Sequence, residues 1–178
     1  MRLLMMVLAS VFGLANAQNE VYLYSLKGDD TWKGVRPQVS FANSSLWVGE
    51  IHRYPESERF VTNIGNNYES DANYTGIMPF FSYHQDSFSL RRAYIVENET
   101  TPINFTPQFI SGDFKGTTTH GFGVDRDGTI TFKGENKFEG CQTQQQKDMR
   151  IFEIFWSGGR AAPDGFECRP LTLRKARK

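Results

Sequence analysis

Acid–base catalysis needs imidazoles or carboxylates that meet at one reacting atom. This chain has three histidines, His52, His84 and His120, set far apart. None stands in a metal-ligating or nucleophile-activating pattern, and no Gly-x-Ser-x-Gly elbow occurs. Glycoside hydrolysis needs two carboxylates facing across a groove. Glu50, Glu56, Glu58, Glu69, Glu153 and Glu167 are the candidates, and spacing alone does not pair them. Glu50, His52, Arg53, Glu58 and His120 include the residue types that cleave RNA on a sheet, again in no diagnostic spacing. Asp125-x-Asp127-Gly128 looks like a fragment of a calcium loop but lacks the third oxygen ligand and the closing Glu. A hairpin turn is the better reading of it. No catalytic residue, metal site or cofactor is assigned.

Aromatic residues make up 14% of the chain, among them three Trp and fifteen Phe. In an all-β domain most of these belong to the core. Trp32, Tyr54, Tyr68 and Tyr74 sit in polar, loop-like surroundings and are the candidates for stacking on sugar rings.

The N-terminus carries a stronger signal. Met1-Arg2 is followed by an apolar run from Leu3 to Leu14, then Ala15-Asn16-Ala17 and the polar Gln18-Asn19-Glu20. A short basic start, an apolar stretch and a small-x-small cleavage site make a secretory signal peptide. The expected division is residues 1–17 as signal peptide, 18–173 as one all-β domain and 174–178 as a basic tail. The apolar run is too short to span a bilayer of about 30 Å, and no later segment is apolar enough for a membrane span or an anchor. Behind such a leader, the two cysteines, Cys141 and Cys168, are expected to pair. Asn43-Ser44-Ser45, Asn73-Tyr74-Thr75, Asn98-Glu99-Thr100 and Asn104-Phe105-Thr106 are then acceptors for N-linked glycan. Pro107 after the last makes Asn104 the poorest acceptor.

Twenty basic and twenty acidic residues balance, so a nucleic-acid partner is not expected. Short β-branched and aromatic runs alternate with Gly, Asn, Asp and Pro, and no long stretch repeats every 3.6 residues. Strands are expected at 21–26, 35–41, 45–48, 80–83, 88–90, 92–96, 121–124, 129–132, 149–156 and 171–173. Residues 55–73 and 98–119 read as long loops, with a short helix at Glu56–Arg59. The predicted fold is all-β and antiparallel, a sandwich first, with a closed barrel or β-trefoil as alternatives.

Three stretches then show a likeness to a known family. They are Val39-Ser40-Phe41-Ala42-Asn43-Ser44-Ser45-Leu46-Trp47-Val48-Gly49, Gly128 to Cys141, and Cys168-Arg169-Pro170-Leu171-Thr172-Leu173 with the upstream Arg150-Ile151-Phe152. Together they resemble fungal cell-wall proteins of the PhiA type. The chain lacks an N-proximal cysteine that such proteins often carry. The resemblance implies a secreted, wall-associated glycoprotein without catalytic residues and with cell-wall polysaccharide as its expected partner. A secreted hydrolase of polysaccharide or RNA, and a secreted effector or lectin-like carbohydrate binder, are the alternatives. Ligand identity and oligomeric state stay open.

Overall fold

The structure is a computed structural model that describes residues 19–24, 30–51, 54–64, 76–81, 90–107 and 114–176. The leader, 1–17, lies outside them. Strands dominate, as alternation and turn residues predicted. The first half holds β1 (Asn19–Tyr24), β2 (Ser40–Ala42), β3 (Ser45–Gly49), β4 (Glu58–Arg59), β5 (Val61–Thr62) and β6 (Pro79–Phe81). The middle holds β7 (Leu90–Val96), β8 (Thr101–Pro102), β9 (Asn104–Phe105), β10 (Thr117–Thr118), β11 (Phe122–Val124) and β12 (Ile130–Phe132). The last part holds β13 (Phe138–Thr143), helix α1 (Gln144–Lys147), β14 (Ile151–Trp156), β15 (Phe166–Pro170) and β16 (Thr172–Lys175).

A large antiparallel sheet runs β10-β7-β9-β3-β14-β13-β15, with β2, β4, β6 and β8 attached at its margins. A small sheet, β16-β1-β5, and the β11–β12 hairpin complete the set. The described strands close no barrel. The core lies between the layers, which is the sandwich solution for burying one face of each sheet. Val48, Phe138, Phe152, Ile154 and Trp156 of the large sheet share it with Val21 and Leu173 of the small one and Phe122, Ile130 and Phe132 of the hairpin. Phe132 and Phe138 both meet Trp156 edge-on, at 4.9 and 5.3 Å between ring centroids, a favoured geometry for aromatic quadrupoles. No described helix is long and apolar enough to cross a membrane.

Turn chemistry sets the registers. Asn43 and Ser44 have φ of 49° and 63°, the pair of left-handed residues that a two-residue hairpin requires, and Ala42 faces Ser45 across it. In the β11–β12 hairpin the Gly128 N–H donates to Asp125 O at 2.9 Å, and Gly128 itself takes φ of 90°. Helix α1 follows a reciprocal cap. The Thr143 hydroxyl accepts from the Gln146 N–H, and the Gln146 side chain accepts from the Thr143 N–H.

Several expectations need correction. Trp32 is 5% exposed, so its ring is not offered to a sugar. Its indole N–H donates to Pro170 O at 3.2 Å and its ring packs edge-on against Phe152. Gly140 makes the slot, because a Cβ there would collide with the Trp32 ring. The basic tail does not begin at 174: Arg174 and Lys175 pair with Tyr22 and Val21 in β16. Glu58 and Arg59 form strand rather than helix, opposite Phe41 and Ser40. The stretch 98–119, read as loop, contains β8, β9 and β10.

Two stability effects are expected. Ser44→Gly preserves the sequon and relieves a left-handed serine, so it should raise stability by about 1 kcal/mol in chemical denaturation. Replacing both cysteines by Ser should cost about 2–5 kcal/mol, the usual loss on removing a native disulfide.

Candidate functional site

Cys141 and Cys168 face each other across β13 and β15 and are bonded, with Cα atoms 4.0 Å apart. No described cysteine is free. Glu139 converges on the two sulfurs, the one such grouping of potential ligands among the described residues. The sulfurs are bonded to each other, so the group offers no thiolate to a metal.

Three of the four sequons fall on described residues; Asn73 does not. Asn43 lies exposed on the β2–β3 turn, and Asn98 lies exposed on the turn after β7. Asn104 sits in β9, paired on one side with Ser45 and on the other with Tyr94. Its side-chain amide donates to Pro102 O at 3.2 Å, so it is the least open of the three. A common feature joins them: the hydroxyl residue of every described sequon is buried. Ser45 is 1%, Thr100 3% and Thr106 1% exposed. Ser45 Oγ reaches Ile103 O, Thr100 Oγ1 donates to Arg160 O, and Thr106 Oγ1 accepts from the Arg92 N–H. In the folded chain these three hydroxyl residues are therefore withdrawn from solvent.

The candidate catalytic residues do not form a site among the described residues. His120 is exposed, its Nδ1 3.2 Å from the neighbouring Thr119 Oγ1. His52, Arg53, Glu69 and His84 lie outside the described residues, as do Tyr68 and Tyr74. Glu50 pairs with Arg36 at 3.3 Å, and Glu167 with Lys147 at 3.0 Å. Glu56 is exposed and Glu58 partly so. Tyr54 is 44% exposed. Glu153 differs. It stands in β14 between Trp47 of β3 and Cys141 of β13. Burial pushes its carboxyl above the usual carboxylate range, and the Ser45 hydroxyl opposes that shift.

The Asp125–Asp127 pair belongs to its own turn. The Thr129 N–H and hydroxyl hold Asp127 at 3.0 Å each, and Arg174 meets it at 2.6 Å. The Thr129 bonds, more than Arg174, keep Asp127 below its ordinary value. Desolvation, with the Asp127 charge added, lifts Asp125.

A groove of about 450 Å³ opens where the turn after β7, the β12–β13 connection and the end of β14 meet. That volume lies in the range of about 300–1,000 Å³ that small-ligand sites occupy. Glu97, Asn98, Lys133, Glu135 and Lys137 line it, with the buried Phe132 and Trp156 beneath. Glu97 binds Lys133 at 2.8 Å, and Glu135 binds Lys137 at 2.8 Å. Gly158 lets the walls close, since a Cβ there would run into the backbone of Glu97 and Glu99. None of these wall residues except Asn98 stood out in the sequence. The alternating charges of Lys133-Gly134-Glu135-Asn136-Lys137 were the available signal.

No protein-family profile matches this chain, and no curated protein or solved structure matches it.

The buried hydroxyls generate a test. Folded protein lacking glycan should accept little glycan from oligosaccharyltransferase and a lipid-linked donor, whereas reduced, denatured chain should be modified at Asn43 and Asn98. Glycopeptide mass spectrometry reads both.

Proposed function

We propose that this chain is a non-enzymatic secreted glycoprotein of the cell wall or extracellular space, and that it associates with neutral polysaccharide. The Cys141–Cys168 bond carries the reading. A chain whose only two cysteines are bonded suits an oxidising compartment, because cytosolic thiols are kept reduced. The leader-like N-terminus, the exposed Asn43 and Asn98, and the likeness to PhiA-type wall proteins support the same address. The groove supports a binding role, since both its acidic side chains are closed by lysines.

Secretion from a eukaryotic host followed by endoglycosidase treatment tests the address: export with a mass shift at Asn43 or Asn98 is expected. Retention on insoluble chitin or β-glucan, without release of sugar or nucleotide in glucan and RNA zymograms, tests the role.

Glu153 favours a second reading, a hydrolase, because a general acid needs a raised pKa. A variant separates the two. If Glu153 is only a half-buried burden, Glu153→Gln stabilises the fold at pH 7. The sign follows from its raised folded pKa. The folded state binds the proton more tightly than the unfolded chain, so stability falls as pH rises through that window. The gain in Tm should therefore shrink as pH drops below the usual carboxylate range, where wild-type Glu153 is protonated in both states. Wild-type zymogram activity that disappears in Glu153→Gln would instead establish the hydrolase.

A further inference from the structure

The groove over Phe132 and Trp156 is walled by paired charges, and one of its lining residues, Asn98, stands in a glycan-acceptor sequon. From this juxtaposition we infer that the groove holds the first N-acetylglucosamine of the glycan carried by Asn98 of the same chain. The inference rests on the secreted, glycosylated reading above and goes beyond it by assigning the groove an occupant.

Charge decides the ligand class. The walls carry two carboxylates and two ammonium groups, each joined to a partner at 2.8 Å. The outer flank repeats the arrangement, Arg160 meeting Glu99 at 3.3 Å. A phosphate or carboxylate ligand would gain from the lysines what it lost to the neighbouring glutamates. A neutral ligand rich in hydroxyls suffers no such cancellation. Its O–H groups donate to Glu97 and Glu135, and its oxygens accept from Lys133 and Lys137. Phe132 and Trp156 lie beneath the groove but are only 2% and 4% exposed, so the walls hold the ligand by polar contacts rather than by stacking. The acetamido group adds one donor and one acceptor, which the Ser157 hydroxyl of the lining can match.

Position decides which sugar arrives. Asn98 is exposed and lines the groove, so a sugar on its amide is tethered at the mouth. Tethering turns binding into an intramolecular event with a high effective concentration. The turn that carries Asn98 is held on both sides. The Glu99 N–H donates to Val96 O at 3.2 Å, and the Thr100 hydroxyl donates to Arg160 O. Gly158 fits against the same turn. Asn43 provides the contrast, because it lies on a hairpin tip elsewhere and lines no part of this groove.

The experiment uses the full chain secreted from a glycosylating host. Native protein is treated with endoglycosidase, and release at Asn98 and Asn43 is followed separately by glycopeptide mass spectrometry. Release at Asn98 should be slower by about tenfold or more, the factor that one retained net hydrogen bond supplies. The rates should converge after denaturation. The double variant Glu135→Ala/Lys137→Ala, which keeps the sequon, should bring the native Asn98 rate toward that of Asn43. Nuclear Overhauser contacts between the Asn98 sugar and the side chains of Lys133 and Lys137, which line the groove, give a second readout independent of enzyme access. Equal native release rates with no such contact overturn the inference. Glycan at Asn43 with none at Asn98 also overturns it while leaving the secreted reading intact. A secreted chain bearing no glycan, or a chain that is never exported, overturns both.

Discussion

The two faces of β14 hold this molecule together. Phe152, Ile154 and Trp156 point into the core between the sheets, while Ile151 and Trp47 share a second apolar cluster on the opposite face. A strand buried on both sides must have neighbours on both edges, because its N–H and C=O groups cannot turn to water. Here β3 supplies one edge and β13 the other. Every other large element is placed relative to that strand. The hairpin packs Phe132 against Trp156, and β13 brings Phe138 to the same ring. The disulfide then attaches β15 to β13, one strand further out.

The groove grows from the same arrangement. Where β14 leaves the sheet after Trp156, two glycines follow. The first lets the turn after β7 approach closely, and the second, with φ of 93°, carries the chain away. The side chains that line the groove are therefore anchored by the core beneath them. The charges above are paired locally, so the rim is polar and close to neutral. Such a surface discriminates by shape and hydrogen bonding more than by long-range field.

How much of this could be read beforehand follows from range. The polar–apolar alternation of residues 149–156 and the Asp-Gly turn before Thr129 are local signals, and both led to the strands observed. The pairs Thr101–Pro102, Asn104–Phe105 and Thr117–Thr118 are too short to show a period, so they passed for loop, and Glu58–Arg59 passed for helix. Trp32 was misjudged because its polar neighbours are local. Its partners, Gly140, Phe152 and Pro170, are more than a hundred residues away. The groove was invisible for the same reason: Glu97 and Lys133 are 36 positions apart, and only the folded sheet makes them neighbours. The Cys141–Cys168 bond needed no such knowledge, since two cysteines in one chain allow a single intramolecular pairing.

β15 also bears on how this protein survives as a separate molecule. Among the described strands it forms one end of the large sheet. An open edge is a template for another chain. This edge is blunted by the exposed Glu167 and Pro170, the second of which has no N–H to offer. The strand beneath is less protected. β13 carries Phe138 and Gln142, both almost fully buried, and no charge lies between Gly140 and Thr143. Reduction of the bridge would leave β15 held by its ladder, by the Lys147–Glu167 pair, by the Trp32 indole on Pro170 O and by Phe166 against Phe155. The disulfide is thus one of several ties that keep β15 over the edge of β13, and with it that edge stays covered.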